Sequence, residues 1–251
     1  MRVLAVLTAA GSGSRLGHVM PKALVPLRGE GLVVHAARRL RAAAGPDGRP
    51  LVAHLAVTAP AAHVDALRTA LSAAGLADER VVVVPGGASR QASVAAGLAA
   101  LAVAAGPRGP DPDDVVLVHD AARPFVPPAL VASVAAAVSG GHPAVVPGLP
   151  VTDTVKRVAA ADDTGAARVR ETVPREDLRA VQTPQGFTWE LLSRAHAASA
   201  RIAHDEALAA SDDAGLVERL GEPVWVVAGD ARAAKITTAH DLAVAELLGD
   251  E

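Results

Sequence analysis

The chain has 251 residues, of which 51% are hydrophobic and 2% aromatic, and its formal net charge is −3. This apolar content excludes a disordered protein, and the weak negative charge with few aromatic rings argues against general nucleic-acid binding. The chain has no cysteine, so disulfides, thiolate metal sites and a cysteine nucleophile are excluded.

Residues 1–7 lead directly into a glycine-rich loop, too early for a secretory signal peptide. The sequence also has no uninterrupted apolar run of about 18 residues, the length typical of a membrane-spanning helix. We therefore expect a cytoplasmic protein.

Short apolar runs alternate with alanine-rich segments along most of the chain. Continuous apolar strands separated by helices are typical of a mostly parallel sheet with helices on both faces. Ligands bind such sheets at the carboxyl ends of the strands, so the functional loops should follow strands. The predicted strands are 3–7, 51–57, 81–84, 115–119 and 144–146, and the predicted helices are 31–44, 61–74, 91–105 and 127–139.

An acidic connector precedes the fourth predicted strand. Asp111, Asp113 and Asp114 lie there among proline and glycine residues. Charged residues in such a connector are usually exposed to water, so we expect all three in a solvated loop.

The alternation of strands and helices stops in the segment 148–175, which we call the arm. Residues 151–158 and 168–173 alternate apolar and polar side chains around a turn of small and polar residues. The pattern predicts a β-hairpin without a large buried face. Because an isolated hairpin is marginally stable, the arm is expected to contact another subunit or to cover a site.

The α/β pattern resumes after the arm. Helices are predicted at 188–200 and 212–220, and a strand at 224–227. A last helix should begin after Thr238, because Asp241 three residues later completes a capping-box pattern.

A loop of small residues follows the first strand. It runs from Thr8 to Gly17 as T-A-A-G-S-G-S-R-L-G, with Lys22 close behind. Successive backbone N–H groups in such a loop bind phosphate oxygens. The loop lacks the end of a Walker A motif and the spacing of a dinucleotide-binding motif. A plain tight turn is the alternative, but Arg15 and Lys22 favour a polyphosphate site because two cations on one loop can converge on an anion.

Two more loops carry polar residues after predicted strands. In the segment 85–98 a Gly-Gly pair precedes Ser93, whose hydroxyl either hydrogen-bonds a base edge or serves the next helix as a cap. After the fourth strand, Asp120 suits a metal or ribose contact and Arg123 suits a phosphate. His119 is expected to be buried at the strand end rather than catalytic.

Together these motifs resemble the 2-C-methyl-D-erythritol 4-phosphate cytidylyltransferases of non-mevalonate isoprenoid biosynthesis. The first loop alone is similar to many nucleotidyltransferases, and the order and spacing of all fragments over essentially the whole chain carry the resemblance. The fragments are A-A-G-x-G-x-R-x-G at 9–17 with Pro21-Lys22, G-G-x-x-R-x-x-S-V at 86–94, H-D-A-A-R-P at 119–124, D-T-V-K-R at 153–157, T-V-x-R at 172–175, Q-T-P-Q-G-F at 182–187, S-D-D-A at 211–214 and K-I-T at 235–237.

The resemblance implies a fold, a reaction and partners. The fold is a single domain over residues 1–251, with a Rossmann-like sheet flanked by helices, the nucleotidyltransferase fold, and the arm as the dimerisation element of a homodimer. The reaction is in-line attack by a phosphate oxygen of 2-C-methyl-D-erythritol 4-phosphate on the α-phosphorus of CTP, which releases pyrophosphate. Mg²⁺ or another divalent cation would bind the triphosphate, with Asp120 as the nearest protein carboxylate. No nucleic-acid or membrane partner is expected.

The resemblance also implies roles for individual residues. Thr154 and Arg175 lie in the arm and would serve the active site of the partner subunit. Ser211 stands where the family commonly has Thr, and Asp213 stands where Glu is more usual. The residues matched to catalysis are Arg15, Lys22, Arg175 and Lys235; those matched to CTP binding are Ala9, Ala10, Gly11, Gly87, Ser93, Asp120 and Ala121; those matched to the acceptor are Arg123, Thr154, Thr183 and Ser211.

Two alternatives stay open. A ribitol 5-phosphate or other polyol-phosphate cytidylyltransferase shares much of the loop pattern, and an acceptor panel would separate the two activities. A catalytically silent nucleotide-binding regulator would bind CTP without releasing pyrophosphate. The cations needed for transfer are present, which argues against the regulator.

Lysine is rare in this chain, with three lysines against 21 arginines. The compact ammonium of lysine is not interchangeable with the guanidinium of arginine, so a lysine in this chain marks a position where an ammonium is needed. Chance is the alternative explanation for the low number of lysines. Lys22 and Lys235 coincide with the two lysine positions that the family uses. Lys156 lies in the arm, where protection of an exposed strand edge explains it equally well.

Overall fold

The computed structural model describes residues 1–11, 20–203, 210 and 212–247. Its main element is an eight-stranded sheet, accompanied by two small two-stranded sheets. The strands are β1 (Val3–Thr8), β2 (Pro26–Leu27), β3 (Glu30–Gly31), β4 (Val52–Ala59), β5 (Val81–Pro85), β6 (Val115–Asp120), β7 (Ala144–Pro150), β8 (Val155–Ala161), β9 (Ala167–Val173), β10 (Arg179–Val181), β11 (Gln185–Thr188) and β12 (Trp225–Ala228).

The main sheet is mostly parallel, as predicted. Hydrogen-bonded neighbours follow the order β10-β7-β11-β6-β1-β4-β5, and β12 also pairs with β7. The central strand β1 lies parallel to β4 and to β6, whereas β10 and β11 run antiparallel to their neighbours. The sequence did not predict β10 and β11, because the segment 179–188 has neither a long apolar run nor a clear alternation.

Helices cover both faces of the sheet and confirm the predicted layering. Alternate side chains of β1 point to opposite faces. The helices are α1 (Leu32–Ala42), α2 (Val64–Ala73), α3 (Arg90–Ala104), α4 (Pro128–Ser139), α5 (Trp189–Ala198), α6 (Asp213–Arg219) and α7 (Ala239–Leu247). Ala5 and Leu7 belong to the core under α1, α2 and α4, and Leu4 and Val6 belong to the core under α3, α5 and α6.

None of the helices in the described ranges combines the length and the apolar character that a membrane crossing requires.

The arm contains a separate two-stranded sheet, which confirms the predicted hairpin. Strands β8 and β9 pair antiparallel with each other, and neither belongs to the main sheet. Most of their side chains are exposed, including Val158 at 49% and Val169 at 50%. The first strand begins at Val155 rather than at residue 151, where the alternation starts.

The last helix begins with the predicted capping box. Asp241 Oδ2 accepts a hydrogen bond from Thr238 N at 2.8 Å, and Asp241 N donates to Thr238 Oγ1 at 3.1 Å. Ahead of this cap, Ile236 packs with Leu27 and Phe125 in a small separate core. This core joins the β2–β3 hairpin to the segment that leads into α7.

One acidic residue of the connector before β6 is buried, so the expectation of a fully solvated loop was wrong. Asp111 and Asp113 are exposed, but Asp114 has no exposed surface. Its carboxylate accepts hydrogen bonds from Arg2 N at 2.6 Å and from Arg2 Nε at 2.9 Å. Burial raises the pKa of Asp114, but the bonds from Arg2 outweigh burial and hold this pKa below its usual range. Local sequence could not show this, because the partner lies at the start of the chain.

We expect Asp114→Asn to lower the free energy of unfolding by about 2–4 kcal/mol, because it leaves the Arg2 guanidinium without its carboxylate partner. Urea unfolding at neutral pH measures the change. The matched control is Asp113→Asn, which makes the same replacement at an exposed neighbour and should alter stability by less than about 0.5 kcal/mol. Equal effects of the two variants would contradict the importance of the buried ion pair.

Candidate active site

Two strand ends lie side by side at the carboxyl edge of the sheet. Thr8 ends β1, Asp120 ends β6, and the two residues are register partners. The pairing continues past the strands, because Ala121 N donates to Thr8 O at 3.0 Å and Ala9 N donates to Thr58 O at 2.9 Å. The sheet itself therefore places Ala9 and Ala121, two of the residues matched to CTP binding.

The loop after β5 packs directly on the loop after β1. A Cβ on Gly86 would lie 2.7 Å from Ala10 Cβ and 2.8 Å from Ser93 Oγ, so a side chain does not fit there. Gly87 N donates to Ser93 Oγ at 3.1 Å. Gly11, which follows Ala10, is exposed. The structure thus brings together four residues predicted for CTP binding: Ala10, Gly11, Gly87 and Ser93.

The Ser93 hydroxyl has partners within the fold. It accepts the hydrogen bond from Gly87 N and donates to Ser89 O at 2.8 Å. Capping of α3 falls to Ser89, whose Oγ accepts from Ala92 N at 3.0 Å. The contact of Ser93 with a base edge stays a prediction.

Asp120 lies between two cations. Its Oδ1 accepts a hydrogen bond from Arg90 Nε at 3.2 Å, and its Oδ2 accepts one from Lys235 Nζ at 2.7 Å. Asp120 is 6% exposed, whereas the Lys235 side chain is 41% exposed. Burial raises the pKa of Asp120, but Arg90 and Lys235 outweigh burial and hold this pKa well below its usual range. The site therefore combines an ionised carboxylate with an accessible ammonium.

Asp120 is also the candidate ligand for a divalent cation. Within the described ranges, no three His, Cys, Asp or Glu side chains cluster as a protein-built metal site. Mg²⁺ at a nucleotide does not need one, since phosphate oxygens and water supply most of its ligands. A carboxylate has about four acceptor positions, and Thr8, Arg90 and Lys235 use three of those on Asp120. The remaining position fits a cation that is bound mainly by phosphates.

A buried hydrogen-bond network surrounds His119, which has no exposed surface. The Arg123 carbonyl can only accept, so His119 Nε2 donates to it at 3.2 Å. The neutral ring then accepts at Nδ1 from the Thr183 hydroxyl at 2.9 Å, and Thr183 Oγ1 itself accepts from Asp120 N at 3.1 Å. This network assigns the neutral tautomer with the proton on Nε2. Burial lowers the pKa of His119 to about 4, and the prediction that His119 is buried at the strand end is confirmed.

Arg123 connects β10 to the segment that precedes Lys235. Its Nη1 donates to the Ala233 carbonyl at 2.6 Å, and its Nη2 donates to the Val181 carbonyl at 3.4 Å. Burial lowers the pKa of Arg123 more than the nearby Asp120 raises it. Two of the guanidinium nitrogens thus hold the protein backbone, and the contact of Arg123 with the acceptor stays a prediction.

The remaining residues matched to catalysis and to the acceptor lie on other segments or outside the described residues. Lys22 is half-buried at the first position of a short 3₁₀ helix, Lys22–Leu24. Thr154 and Arg175 are exposed in the arm. Arg15 and Ser211 lie outside the described residues.

Two charged residues beside Asp120 received no role from the sequence. Arg90 contacts Asp120 and also donates to Asp213 Oδ2 at 2.6 Å. The G-G-x-x-R spacing in the segment 86–90 contributes to the family resemblance and is the signal that singles out Arg90. Asp213 was noted only as a departure from Glu.

We expect the stability of the protein to fall between about pH 7 and about pH 4.5 in a way that depends on His119. The unfolded histidine binds a proton near pH 6.5, whereas the folded one binds it only near pH 4, so the unfolded state holds more protons between these values. Relative to His119→Gln, the wild type should lose about 2–3 kcal/mol of unfolding free energy over this range. Urea titrations of both proteins at the two pH values measure the difference, and a pH-independent difference would contradict the neutral buried state.

The chain is similar to known proteins over nearly its whole length. Residues 3–250 match the family model for 2-C-methyl-D-erythritol 4-phosphate cytidylyltransferase. The protein of that name from Saccharopolyspora erythraea is 49% identical over 246 residues, 98% of this chain and 98% of its own. The one from Frankia casuarinae is 46% identical over 247 residues, 98% of this chain and 81% of its own.

A solved structure extends the similarity to the fold. The crystal structure of 2-C-methyl-D-erythritol 4-phosphate cytidylyltransferase from Thermus thermophilus is 38% identical, with a TM-score of 0.70 and 98% of each chain covered. Similarity of this extent in both sequence and structure favours methylerythritol phosphate over ribitol phosphate as the acceptor. The chain therefore belongs to the 2-C-methyl-D-erythritol 4-phosphate cytidylyltransferase family, the nucleotidyltransferases that transfer CMP from CTP to this acceptor in isoprenoid biosynthesis.

Proposed function

We propose that this chain catalyses the transfer mainly with its cations, at the carboxyl edge of β1 and β6. The observation that carries the proposal is the Lys235–Asp120 ion pair, which holds an accessible ammonium beside the loops after β1 and β5. A cation fixed at this edge is suited to bind a phosphate that approaches from solvent.

The chemistry explains why cations suffice. The acceptor phosphate is an anion near neutral pH, so its oxygen attacks the α-phosphorus without first losing a proton to a strong base. The main barrier is the approach of one anion to another, which fixed positive charge lowers. His119 suits this mechanism, because its neutral ring is buried and its nitrogens bond Thr183 and Arg123.

Each cation has a distinct place in the proposed reaction. Arg15 and Lys22, on the loop after β1, stabilise the charge that develops at the α-phosphate. Lys235 and Arg175 hold the acceptor phosphate in line for attack. Backbone N–H groups of the loops after β1 and β5 bind the triphosphate, in the way that small-residue loops bind phosphate elsewhere.

A divalent cation completes the proposed site. Bound Mg²⁺ supplies charge neutralisation on the triphosphate and on the departing pyrophosphate. Asp120 would hold it with the acceptor position that Arg90, Lys235 and Thr8 leave on its carboxylate.

The proposed active enzyme is a homodimer in which each arm completes the partner's site. The arm pairs its two strands with each other and exposes most of their side chains. Thr154 and Arg175, which flank the two strands, are also exposed. A solvated hairpin of two strands gains stability by packing on another surface. This arrangement places Arg175 of one subunit near Lys235 of the other. The cytoplasmic location expected from the sequence stays a prediction.

We expect Lys22→Ala to lower kcat by about 100-fold or more, because it removes one charge-stabilising donor from the transition state. Pyrophosphate release from CTP and 2-C-methyl-D-erythritol 4-phosphate measures the rate. The matched control is Lys156→Ala, which removes a lysine that is exposed in the arm and hydrogen-bonded to Thr172. That variant should retain turnover close to the wild type.

The same assay tests the function itself. Near-normal turnover by Lys22→Ala would contradict the proposed role of the loop after β1. Faster turnover of ribitol 5-phosphate than of methylerythritol phosphate by the wild type would overturn the choice of acceptor.

We expect chains with Arg175→Ala and chains with Lys235→Ala to be inactive alone and to regain activity when refolded together. A mixed dimer has one site built from an intact arm and an intact Lys235, so random mixing should restore about a quarter of the wild-type activity. The control mixes Lys22→Ala with Lys235→Ala, two changes outside the arm, and should restore none. Failure of the first mixture, with mixed dimers demonstrated, would refute the shared site.

A further inference from the structure

A row of hydrogen bonds and ion pairs runs from α5 to the candidate active site. His196 Nε2 lies 2.9 Å from Asp213 Oδ1, and Asp213 Oδ2 accepts a hydrogen bond from Arg90 Nη1 at 2.6 Å. Arg90 Nε donates to Asp120 Oδ1 at 3.2 Å, and Lys235 Nζ donates to Asp120 Oδ2 at 2.7 Å. Arg90 is therefore shared by two carboxylates, and Asp120 is shared by two cations.

Asp213 is held firmly at the start of α6. It is 1% exposed, and its backbone N donates to Gln185 Oε1 at 3.1 Å. The N of Ala214 donates to the same oxygen at 3.2 Å. Asp212 caps the helix by accepting from Gly215 N at 3.1 Å. These bonds fix the backbone from which the Asp213 carboxylate reaches Arg90.

Charge in this row is balanced within the protein. Burial raises the pKa of Asp213, but Arg90 and His196 outweigh burial and hold this pKa below its usual range. Burial lowers the pKa of Arg90, but Asp213 and Asp120 together raise it above its usual value. Arg90 and Lys235 together balance Asp213 and Asp120, and the two carboxylates bind different nitrogens of Arg90, Nη1 for Asp213 and Nε for Asp120.

The geometry of arginine makes this arrangement important. A guanidinium and a carboxylate pair best through two parallel N–H···O bonds. If Arg90 were released from Asp213, it would be free to occupy both oxygens of Asp120, including the Oδ2 that now binds Lys235. The edge that could bind both oxygens is formed by Nε and Nη2. In the structure Nε reaches Oδ1, while Nη2 is buried without a hydrogen-bond partner among the described residues, and the bond from Nη1 to Asp213 holds the guanidinium in this orientation.

We propose that Asp213 is a positioning residue for the transfer reaction: it retains Arg90, so that Asp120 keeps Oδ2 for the Lys235 ammonium. Asp213 acts through Arg90 and Asp120 and is not itself a catalytic group. The proposal rests on the role proposed above for Lys235 in holding the acceptor phosphate.

The kinetic test compares two carboxylate-to-amide changes in buried ion pairs. Asp213→Asn should lower kcat/KM for the acceptor by about tenfold or more, because small displacements of a positioning group have large effects on rate. The same variant should change KM for CTP by less than about threefold. Asp114→Asn, in the pair with Arg2, is the matched control and should leave both constants near the wild type. Asp213→Glu keeps the carboxylate and should restore most of the lost activity.

The structural test uses the scarcity of lysine. Protein labelled with ¹³C at lysine Cε gives three signals, one for each of Lys22, Lys156 and Lys235, and loss of a signal in Lys235→Arg identifies that of Lys235. Asp213→Asn should shift the Lys235 signal and leave the other two in place. Asp114→Asn should leave all three unchanged.

These measurements separate the possible failures. Wild-type activity of Asp213→Asn, or lost activity with an unmoved Lys235 signal, would overturn the positioning role. If Asp213→Asn does not fold, Arg90→Lys replaces it, because an ammonium keeps the charge but cannot bridge the carboxylates in the same way. This variant adds a fourth lysine signal, and the same kinetic change and the same shift of the Lys235 signal are expected beside it. A wild type that releases no pyrophosphate would remove the proposed function, while the Lys235 signal would still report on the contact.

Discussion

The structure of the active site depends on one buried carboxylate. Asp120 stands at the end of β6 with 6% of its surface exposed, and burial alone would favour its neutral form. Arg90 and Lys235 reverse that preference, because they place positive charge against each oxygen. The ionised carboxylate in turn holds the Lys235 ammonium in a defined place at this edge of the sheet. Without the carboxylate, the two cations would repel each other at the position where the proposed function places the substrate phosphates.

The sheet makes this arrangement possible. Parallel pairing of β1 with β6 places Thr8 beside Asp120, and the hydrogen bonds of Ala9 and Ala121 continue the order of the strands into both loops. The close contact at Gly86 then brings the third loop against Ala10. Rigid strands thus position the loops whose backbone groups are suited to phosphate, whereas the cations of the proposed site come from loops, α3 and the arm. This division suits a reaction whose difficulty is electrostatic rather than a matter of proton transfer.

Much of this could be predicted from the sequence, for identifiable reasons. Buried parallel strands are continuous apolar runs, so β1, β4, β5, β6 and β7 are recognisable from composition alone. The capping box of α7 and the alternation in the arm are equally local signals. Strands β10 and β11 escaped prediction because partners across the sheet, rather than their own composition, make them strands. Asp114 was misjudged for the same reason, since Arg2, its partner, is 112 positions away.

The sequence by itself therefore determined the layered α/β fold, the loops that follow its strands and, through the order of its motifs, the family. Only the tertiary structure decided which charges meet: Lys235 with Asp120 across 115 positions, and Arg90 with Asp213 across 123. The physical reason is that periodicity and capping arise from neighbours a few residues apart, whereas a buried ion pair requires two chain segments to be brought together and removed from water. The sequence shows that Lys235 is one of few lysines in an arginine-rich chain, but only the packed sheet shows that its ammonium pairs with the carboxylate of Asp120.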